Sequence, residues 1–286
     1  GEHWLDAVQA ELPEVPVENI LGEPVGRGTA PAVGLAAEVL ARRDPDALLA
    51  VRTADHLIRD QERFRAVLLE AATAAAEGHI ALLGITPTEP NTGYGYIETN
   101  GRIGGQSLPV LRVESFKEKP TEERAREFLA SDNFFWNSGM FVWSLKTIQA
   151  EMRRLMPELA ERVATIGAAR DTPARDTVLA ELWEGIRAET IDYGVIERAS
   201  DVVVIPADIG WNDVGSWAAL FDVLPPDKDA NIVEGEYISV DSRNNLIYSP
   251  NRLVAAIGVE DLVIVDTEDV ILILPRNRAQ DVRQIV

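Results

Sequence analysis

Residues 61–85 read QERFRAVLLEAATAAAEGHIALLGI, and this stretch decides the fold. Phe64, Val67, Leu68 and Ala71 recur at the i, i+3, i+4, i+7 spacing that gathers apolar side chains on one face of a helix. Gly78 stands where a left-handed residue can end that helix without steric cost. His79 to Ile85 then forms a short apolar run, the pattern of a buried strand. Upstream, Pro31 to Arg43 is rich in Ala and Leu at helical spacing, and Ala47-Leu48-Leu49-Ala50-Val51 reads as another buried strand. Downstream, Val202-Val203-Val204-Ile205-Pro206 is strand-like again. The alternation predicts an α/β protein: a doubly wound, mostly parallel sheet flanked by helices, Rossmann-like in class. Gly1 to Leu12 reads as a helix, so the pattern opens without a leading strand.

From Asn231 the pattern changes. Leu246-Ile247-Tyr248, Leu253 to Ile257, Leu262 to Val265 and Val270 to Leu274 are short apolar runs separated by polar turns. Their spacing predicts a small β domain, either a meander or a solenoid of the left-handed β-helix kind. The boundary is set at Pro225-Pro226-Asp227, giving an α/β domain over 1–225 and a β domain over 226–286.

The chain has 286 residues, 46% hydrophobic and 26% charged, ordinary values for a globular protein. No apolar run reaches the roughly 18 residues of a membrane span. Cysteine is absent, which excludes disulfides and thiolate metal sites and fits a cytoplasmic protein. The formal net charge is −20, a balance that repels nucleic-acid backbones. Nucleotides, if handled, would be bound singly, in a pocket with local positive charge and a metal ion. A homodimer is the default expectation for assembly.

Several segments carry candidate chemistry. Trp211-Asn212-Asp213-Val214-Gly215-Ser216-Trp217 sets a carboxylate between two tryptophans after a strand-like run. Thr53-Ala54-Asp55-His56 places a second carboxylate after the strand at 47–51. Strand ends are where open α/β sheets place their chemistry, and two such carboxylates could share one Mg²⁺ among phosphates. The alternative for each is a turn capped by an Asp. Glu23-Pro24-Val25-Gly26-Arg27-Gly28-Thr29-Ala30-Pro31-Ala32 joins the strand-like Asn19-Ile20-Leu21 to the next helix. Its glycines allow close backbone approach, Thr29 can cap and Pro31 suits a first helical turn. Thr92 to Glu98 is a Gly/Tyr hairpin-like element, and Phe116-Lys117-Glu118-Lys119-Pro120 places an acceptor beside a cation. In Trp136-Asn137-Ser138-Gly139-Met140-Phe141 an amide sits in an apolar setting and needs a partner, either backbone or ligand.

In this order, the segments from Glu23, Ala54, Thr92, Phe116, Trp136, Ile191 and Trp211 resemble those of bacterial mannose-1-phosphate guanylyltransferases, the GDP-mannose pyrophosphorylases. The similarity runs from about Glu18 to the C-terminus. It implies that the phosphate of mannose 1-phosphate attacks the α-phosphorus of GTP and pyrophosphate leaves. By position in the matching motifs, Glu23, Gly26, Arg27 and Thr29 would lie near guanine and ribose. Asp55 and Asp213 would hold Mg²⁺. Gly95, Glu118 and Asn137 would read the mannose, and Lys119 would meet the sugar phosphate; Ile191-Asp192-Tyr193 matches a further motif of unspecified role. Three departures stand out. The family's Gly-rich phosphate loop has no counterpart in residues 1–286, so this stretch by itself is expected to be nearly inert. Gly28 stands where Asn is usual, and Thr53 where Pro is usual. The competing readings are a non-catalytic sugar-nucleotide-binding homologue and a sister enzyme for another hexose 1-phosphate.

Overall fold

The computed structural model describes residues 1–285. It folds as two compact units, one made of Gly1–Thr53 with Asp60–Ile209, the other of Ala54–Arg59 with Gly210–Val286. The division falls ahead of the Pro225-Pro226 pair expected from sequence, and it assigns the excursion at 54–59 to the second unit. The reason is backbone pairing: the short strand Leu57–Ile58 bonds to Trp211–Asn212, far away in sequence.

In the first unit the elements run α1 (Leu5–Glu11), α2 (Thr29–Ala41), β1 (Leu48–Val51), then, after the excursion strand β2 (Leu57–Ile58), α3 (Gln61–Ala76) and β3 (Ile80–Ile85). They continue with β4 (Tyr96–Gly104), β5 (Val110–Lys117), α4 (Glu122–Leu129), β6 (Phe134–Ser144), α5 (Leu145–Leu155), α6 (Pro157–Ala169), α7 (Arg175–Glu184), α8 (Ile191–Gly194) and β7 (Val202–Pro206). The 61–85 stretch folds as its pattern requires. Asp60 caps α3 by accepting the Arg63 N–H at 2.9 Å, and Gly78 follows its end at φ +102°. Every residue of β3 is buried, as expected of a strand covered on both faces.

The α/β class holds, with helices packed on a six-stranded sheet of order β1-β6-β3-β7-β5-β4. Its strand directions are more mixed than a mostly parallel reading implies. β3 and β7 are parallel, whereas β6 runs antiparallel to β1, β3 and β4, and β5 antiparallel to β4 and β7. The core spans α2, α5, α6 and the central strands, with Trp143 and Trp183 fully buried. Asn19-Ile20-Leu21, expected as a strand, is not one: Val17–Asn19 forms a 3₁₀ turn. Two apolar residues give too little length to commit a backbone to a ladder.

In the second unit β2 pairs with β8 (Trp211–Asn212), followed by the short helix α9 (Leu220–Val223). A four-stranded sheet follows, made of β9 (Ile232–Val240), β10 (Leu246–Ile257), β11 (Leu262–Asp266) and β12 (Ile271–Pro275). β9, β10 and β11 stack in parallel, with Ile232, Leu246 and Val263 in register, a solenoid-like arrangement rather than a meander. The two runs read as separate strands around 246 and 253 are one strand, with a register shift between Ser249 and Val254. Beneath the rungs Asn231 Oδ1 accepts the backbone N–H and the Nδ2 of Asn245 at 3.0 and 3.1 Å. Asn245 Nδ2 also donates to the Val259 carbonyl, and its Oδ1 accepts the Leu262 N–H. This bonded ladder lets two amides be buried under the solenoid turns without loss.

Candidate active site

The segment from Trp183 to Tyr193 organises the first unit's candidate site. Trp183 Nε1 donates to the Val25 carbonyl at 2.8 Å, and Arg27 Nη2 to the Glu184 carbonyl at 3.1 Å. The Glu189 N–H donates to the Arg27 carbonyl and the Ala30 N–H to the Glu189 carbonyl. The sequence suggests Thr29 as the cap of α2; instead Gly28 is the N-cap, and Thr29 Oγ1 accepts the Ile191 N–H at 2.8 Å. Gly28 adopts φ +83°, ψ −177°, a region open essentially to glycine alone. A Cβ there would also come within 2.4 Å of the Glu189 carbonyl oxygen. Glycine at this position therefore has a backbone reason: it seats α2 on the 183–193 strap.

Two polar atoms in the same loop, Glu23 Oε2 and Arg27 Nε, are buried without a partner among the described residues, and Gly26 faces open space. Unpaired buried polar atoms carry a cost that a ligand can relieve.

The strap also reaches the residues assigned to the sugar. Thr190 caps α8 by accepting the Tyr193 N–H at 3.3 Å. At the start of that helix Asp192 Oδ1 accepts Asn137 Nδ2 at 2.8 Å. Asn137 Oδ1 accepts the Gly139 N–H at 3.1 Å, so the amide orientation is fixed from both ends and one N–H stays available. The Asn137 backbone N–H donates to the Gly95 carbonyl at 2.8 Å. A Cβ on Gly95 would lie 2.7 Å from Glu118 Oε2, so glycine is what admits that carboxylate. Lys119 Nζ stands 3.5 Å from Glu118 Oε1, and its backbone takes φ +40°, a conformation uncommon outside glycine. Gly95, Glu118, Lys119 and Asn137, far apart in sequence, are thus brought together, as are Glu23, Gly26, Arg27 and Thr29 along one loop.

The surroundings are acidic. Burial, then Glu118 and Asp192, push the Glu197 carboxyl above its usual range. Burial, then Glu118, Glu197, Asp192 and Glu189, raise the Tyr193 phenol. Carboxylates and an oriented amide are suited to hydroxyl donors, and the ammonium of Lys119 to a phosphate. Asp192 and Glu197 are residues to which the sequence assigns no role. The Ile191-Asp192-Tyr193 motif is the signal for the first of them, but nothing in that motif marks Asn137 as its partner.

In the second unit, the β2–β8 register brings the segments of Asp55 and Asp213 side by side, with Leu57 opposite Asn212. Trp211 Nε1 donates to His56 Nδ1 at 3.0 Å, fixing that nitrogen as an acceptor. Burial lowers the His56 pKa, against the opposing pull of Asp55 and Asp213. The imidazole is therefore neutral at pH 7 and does not offset the two carboxylates. Asp213 is held in a tight turn. Its Oδ1 accepts the Gly215 N–H at 3.2 Å, Val214 takes φ +48°, and a Cβ on Gly215 would meet Asp213 Oδ2 at 2.5 Å. Among the described residues no group of three or more His, Cys, Asp or Glu side chains is arranged to hold a metal. Mg²⁺ takes one or two carboxylates from a protein and completes its shell with phosphate oxygens and water, so a pair of carboxylates would suffice in number.

A family model described as "Nucleotidyl transferase" matches residues 2–230. The chain belongs to the nucleotidyl transferase family. A second model, "MannoseP isomerase/GMP-like beta-helix domain", matches 235–286, in agreement with the parallel rungs. Among curated relatives, mannose-1-phosphate guanylyltransferase of Klebsiella pneumoniae is 41% identical over 94% of this chain and 57% of its own length. Xanthan biosynthesis protein XanB of Xanthomonas campestris is 40% identical over 100% of this chain and 60% of its own. The chain thus spans less than two thirds of the length of these relatives. The crystal structure of mannose-1-phosphate geranyltransferase from Thermus thermophilus matches with TM-score 0.81 and 31% identity, over 98% of this chain and 87% of that one. Within this nucleotidyl transferase, no helix among the described residues is long and apolar enough to cross a membrane.

Proposed function

We propose that the protein transfers GMP from GTP to mannose 1-phosphate. A phosphate oxygen of the sugar attacks the α-phosphorus of GTP, the bond from that phosphorus to the bridging oxygen breaks, and pyrophosphate leaves with the electron pair. GDP-mannose is the other product. The observation that carries this reading is the convergence of Glu118, Lys119 and the doubly anchored Asn137 beside Asp192, an acceptor-rich set with one cation. In it Glu118 and Asn137 take sugar hydroxyls and Lys119 takes the sugar phosphate, fixing the attacking oxygen. Gly95 gives Glu118 its room. Along the 23–29 loop, Glu23 Oε2 and Arg27 Nε supply an acceptor and a donor to guanine and ribose, and Gly26 leaves its backbone accessible. Thr29 acts by tying the loop to the strap. The Mg²⁺ ligands in this reading are Asp55 and Asp213. When bound, the ion neutralises charge on the triphosphate and on the leaving pyrophosphate. The names of the curated relatives supply the choice of guanine and mannose. The proposed setting is the cytoplasm.

The test is pyrophosphate release by the purified full-length protein with each common NTP paired with each common hexose 1-phosphate, since residues 1–286 alone are expected to be nearly inert. The reading requires GTP with mannose 1-phosphate to give the highest kcat/KM. Equal or faster turnover with UTP or dTTP would overturn it.

A further inference from the structure

A cleft of about 320 Å³ opens in the first unit where the end of α5 and the start of α6 face the Gly185–Arg198 stretch. None of Gly95, Glu118, Lys119, Asn137 or the 23–29 loop lines it. Arg162, Arg187 and Arg198 do, in a chain that carries 47 acidic against 27 basic residues. Some cations elsewhere on this protein sit against carboxylates, as Arg124, Arg126 and Arg154 do, and others, such as Arg27 and Arg170, against backbone carbonyls. Among the described residues none of the three cleft arginines forms an ion pair, although Glu158 and Glu189 line the same cavity. Arg162 donates to the Leu182 carbonyl at 3.2 Å and Arg198 to the Gly194 carbonyl at 3.4 Å, while no hydrogen bond from a described residue holds the Arg187 side chain. The positive charge of the three arginines is only partly offset by the two glutamates in the same wall, which leaves the cleft suited to an anion. The remaining wall is apolar, formed by Met156, Leu159 and Ile186.

We propose that this cleft is a second binding site, separate from the candidate active site, for a small organic phosphate with a planar or apolar body, of the nucleoside monophosphate class. Guanidinium groups pair with phosphate oxygens in bidentate fashion, and the volume lies at the lower end of ordinary small-molecule pockets. With three arginines against two glutamates, the formal charge of the lining is +1, which favours a monophosphate over a triphosphate. Occupancy acts on the strap, since Glu189 and Gly194 belong to the wall. Gly194 is packed so closely that a Cβ there would lie 2.5 Å from Met156 Sδ.

The experiment is hydrogen–deuterium exchange on the protein with and without GMP as probe, read on residues 155–162, together with the Kd of that protection. Protection is expected in the parent and in Glu23→Gln. In Arg187→Ala the Kd should rise at least tenfold, and Arg187→Lys should recover part of that loss. Arg187 is exposed, so unchanged thermal melting is expected to accompany the change. No protection at 155–162 with millimolar GMP, protection indifferent to Arg187→Ala, or protection lost in Glu23→Gln would each overturn the proposal. The last result would assign GMP to the 23–29 loop. The readout is binding alone, so it stands apart from any failure of the guanylyl assignment.

Discussion

Asn245 and Asn137 are the same residue put to opposite uses. Asn245, in the second unit, is fully buried, with both amide donors and its carbonyl oxygen engaged by protein groups. Asn137, in the first, is half-buried, held by Asp192 and the Gly139 N–H, and keeps one donor unused. Around Asn245 the partners are neutral amides and backbone; around Asn137 they are carboxylates crowded closely enough to raise Glu197 and Tyr193. A saturated network holds a fold together, whereas an oriented but unsaturated one is ready for a ligand. Saturation of hydrogen-bonding capacity, together with burial, is what separates the structural amide Asn245 from Asn137, the amide proposed to bind a ligand.

The comparison breaks first, if it is wrong, on stability. Asn245→Ala strands the Leu262 N–H, a buried orphan that costs about 1–3 kcal/mol, and takes one of two hydrogen bonds from both Asn231 Oδ1 and the Val259 carbonyl, about 0.5–1.5 kcal/mol each. Urea unfolding should show a loss of ~3 kcal/mol or more, against less than about 1.5 kcal/mol for Asn137→Ala, whose surroundings already admit water. Equal losses would dissolve the distinction.

A smaller effect sharpens the functional side. Glu118→Gln should lower kcat/KM for mannose 1-phosphate by about 10–100-fold, the range of one hydrogen bond to a charged group, and leave the KM for GTP nearly unchanged. Gly95→Ala should behave alike, because its Cβ displaces the same carboxylate. Parallel losses for both substrates would make Glu118 structural. Asp192→Asn keeps an acceptor for Asn137, so a loss below about tenfold is expected, with Asp192→Ala clearly worse.

The least change concerns pH. The Glu197 carboxyl is raised, first by partial desolvation and then by Glu118 and Asp192, so the folded protein keeps its proton where the unfolded chain has released it. Its contribution to stability is complete below the ordinary carboxylate range and is lost as pH rises through the raised value. Glu197→Gln removes that loss. Its Tm should therefore fall less than the parent's between about pH 5 and about pH 7, by a small margin because solvent screens this exposed side chain.

Some of this is written locally and some is not. The α3–β3 stretch is legible because its period and its Gly78 stop act within a few residues. The sense of the strands is not legible. The antiparallel course of β6 is set by partners on both sides of it, and no feature of Phe134–Ser144 records which way those partners run. Motif resemblance finds Glu118 and Asn137, yet Asp192 gains a role only when folding brings it to an amide 55 positions away. Thr29 misleads because a hydroxyl ahead of a helix looks like a cap, and its true donor, the Ile191 N–H, lies 162 residues downstream.

The central claim is that Glu118 and Asn137 spend their free hydrogen-bonding capacity on sugar hydroxyls. The most direct test compares kcat/KM for mannose 1-phosphate with that for its monodeoxy analogues, in the parent and in Glu118→Gln. A site built around a hydroxyl rejects the analogue lacking it, because its own polar group is left unpaired. The account predicts that one analogue is disfavoured by about 100-fold or more in the parent, and that this gap collapses in Glu118→Gln. A gap that is absent in the parent, or that survives the substitution unchanged, would contradict it.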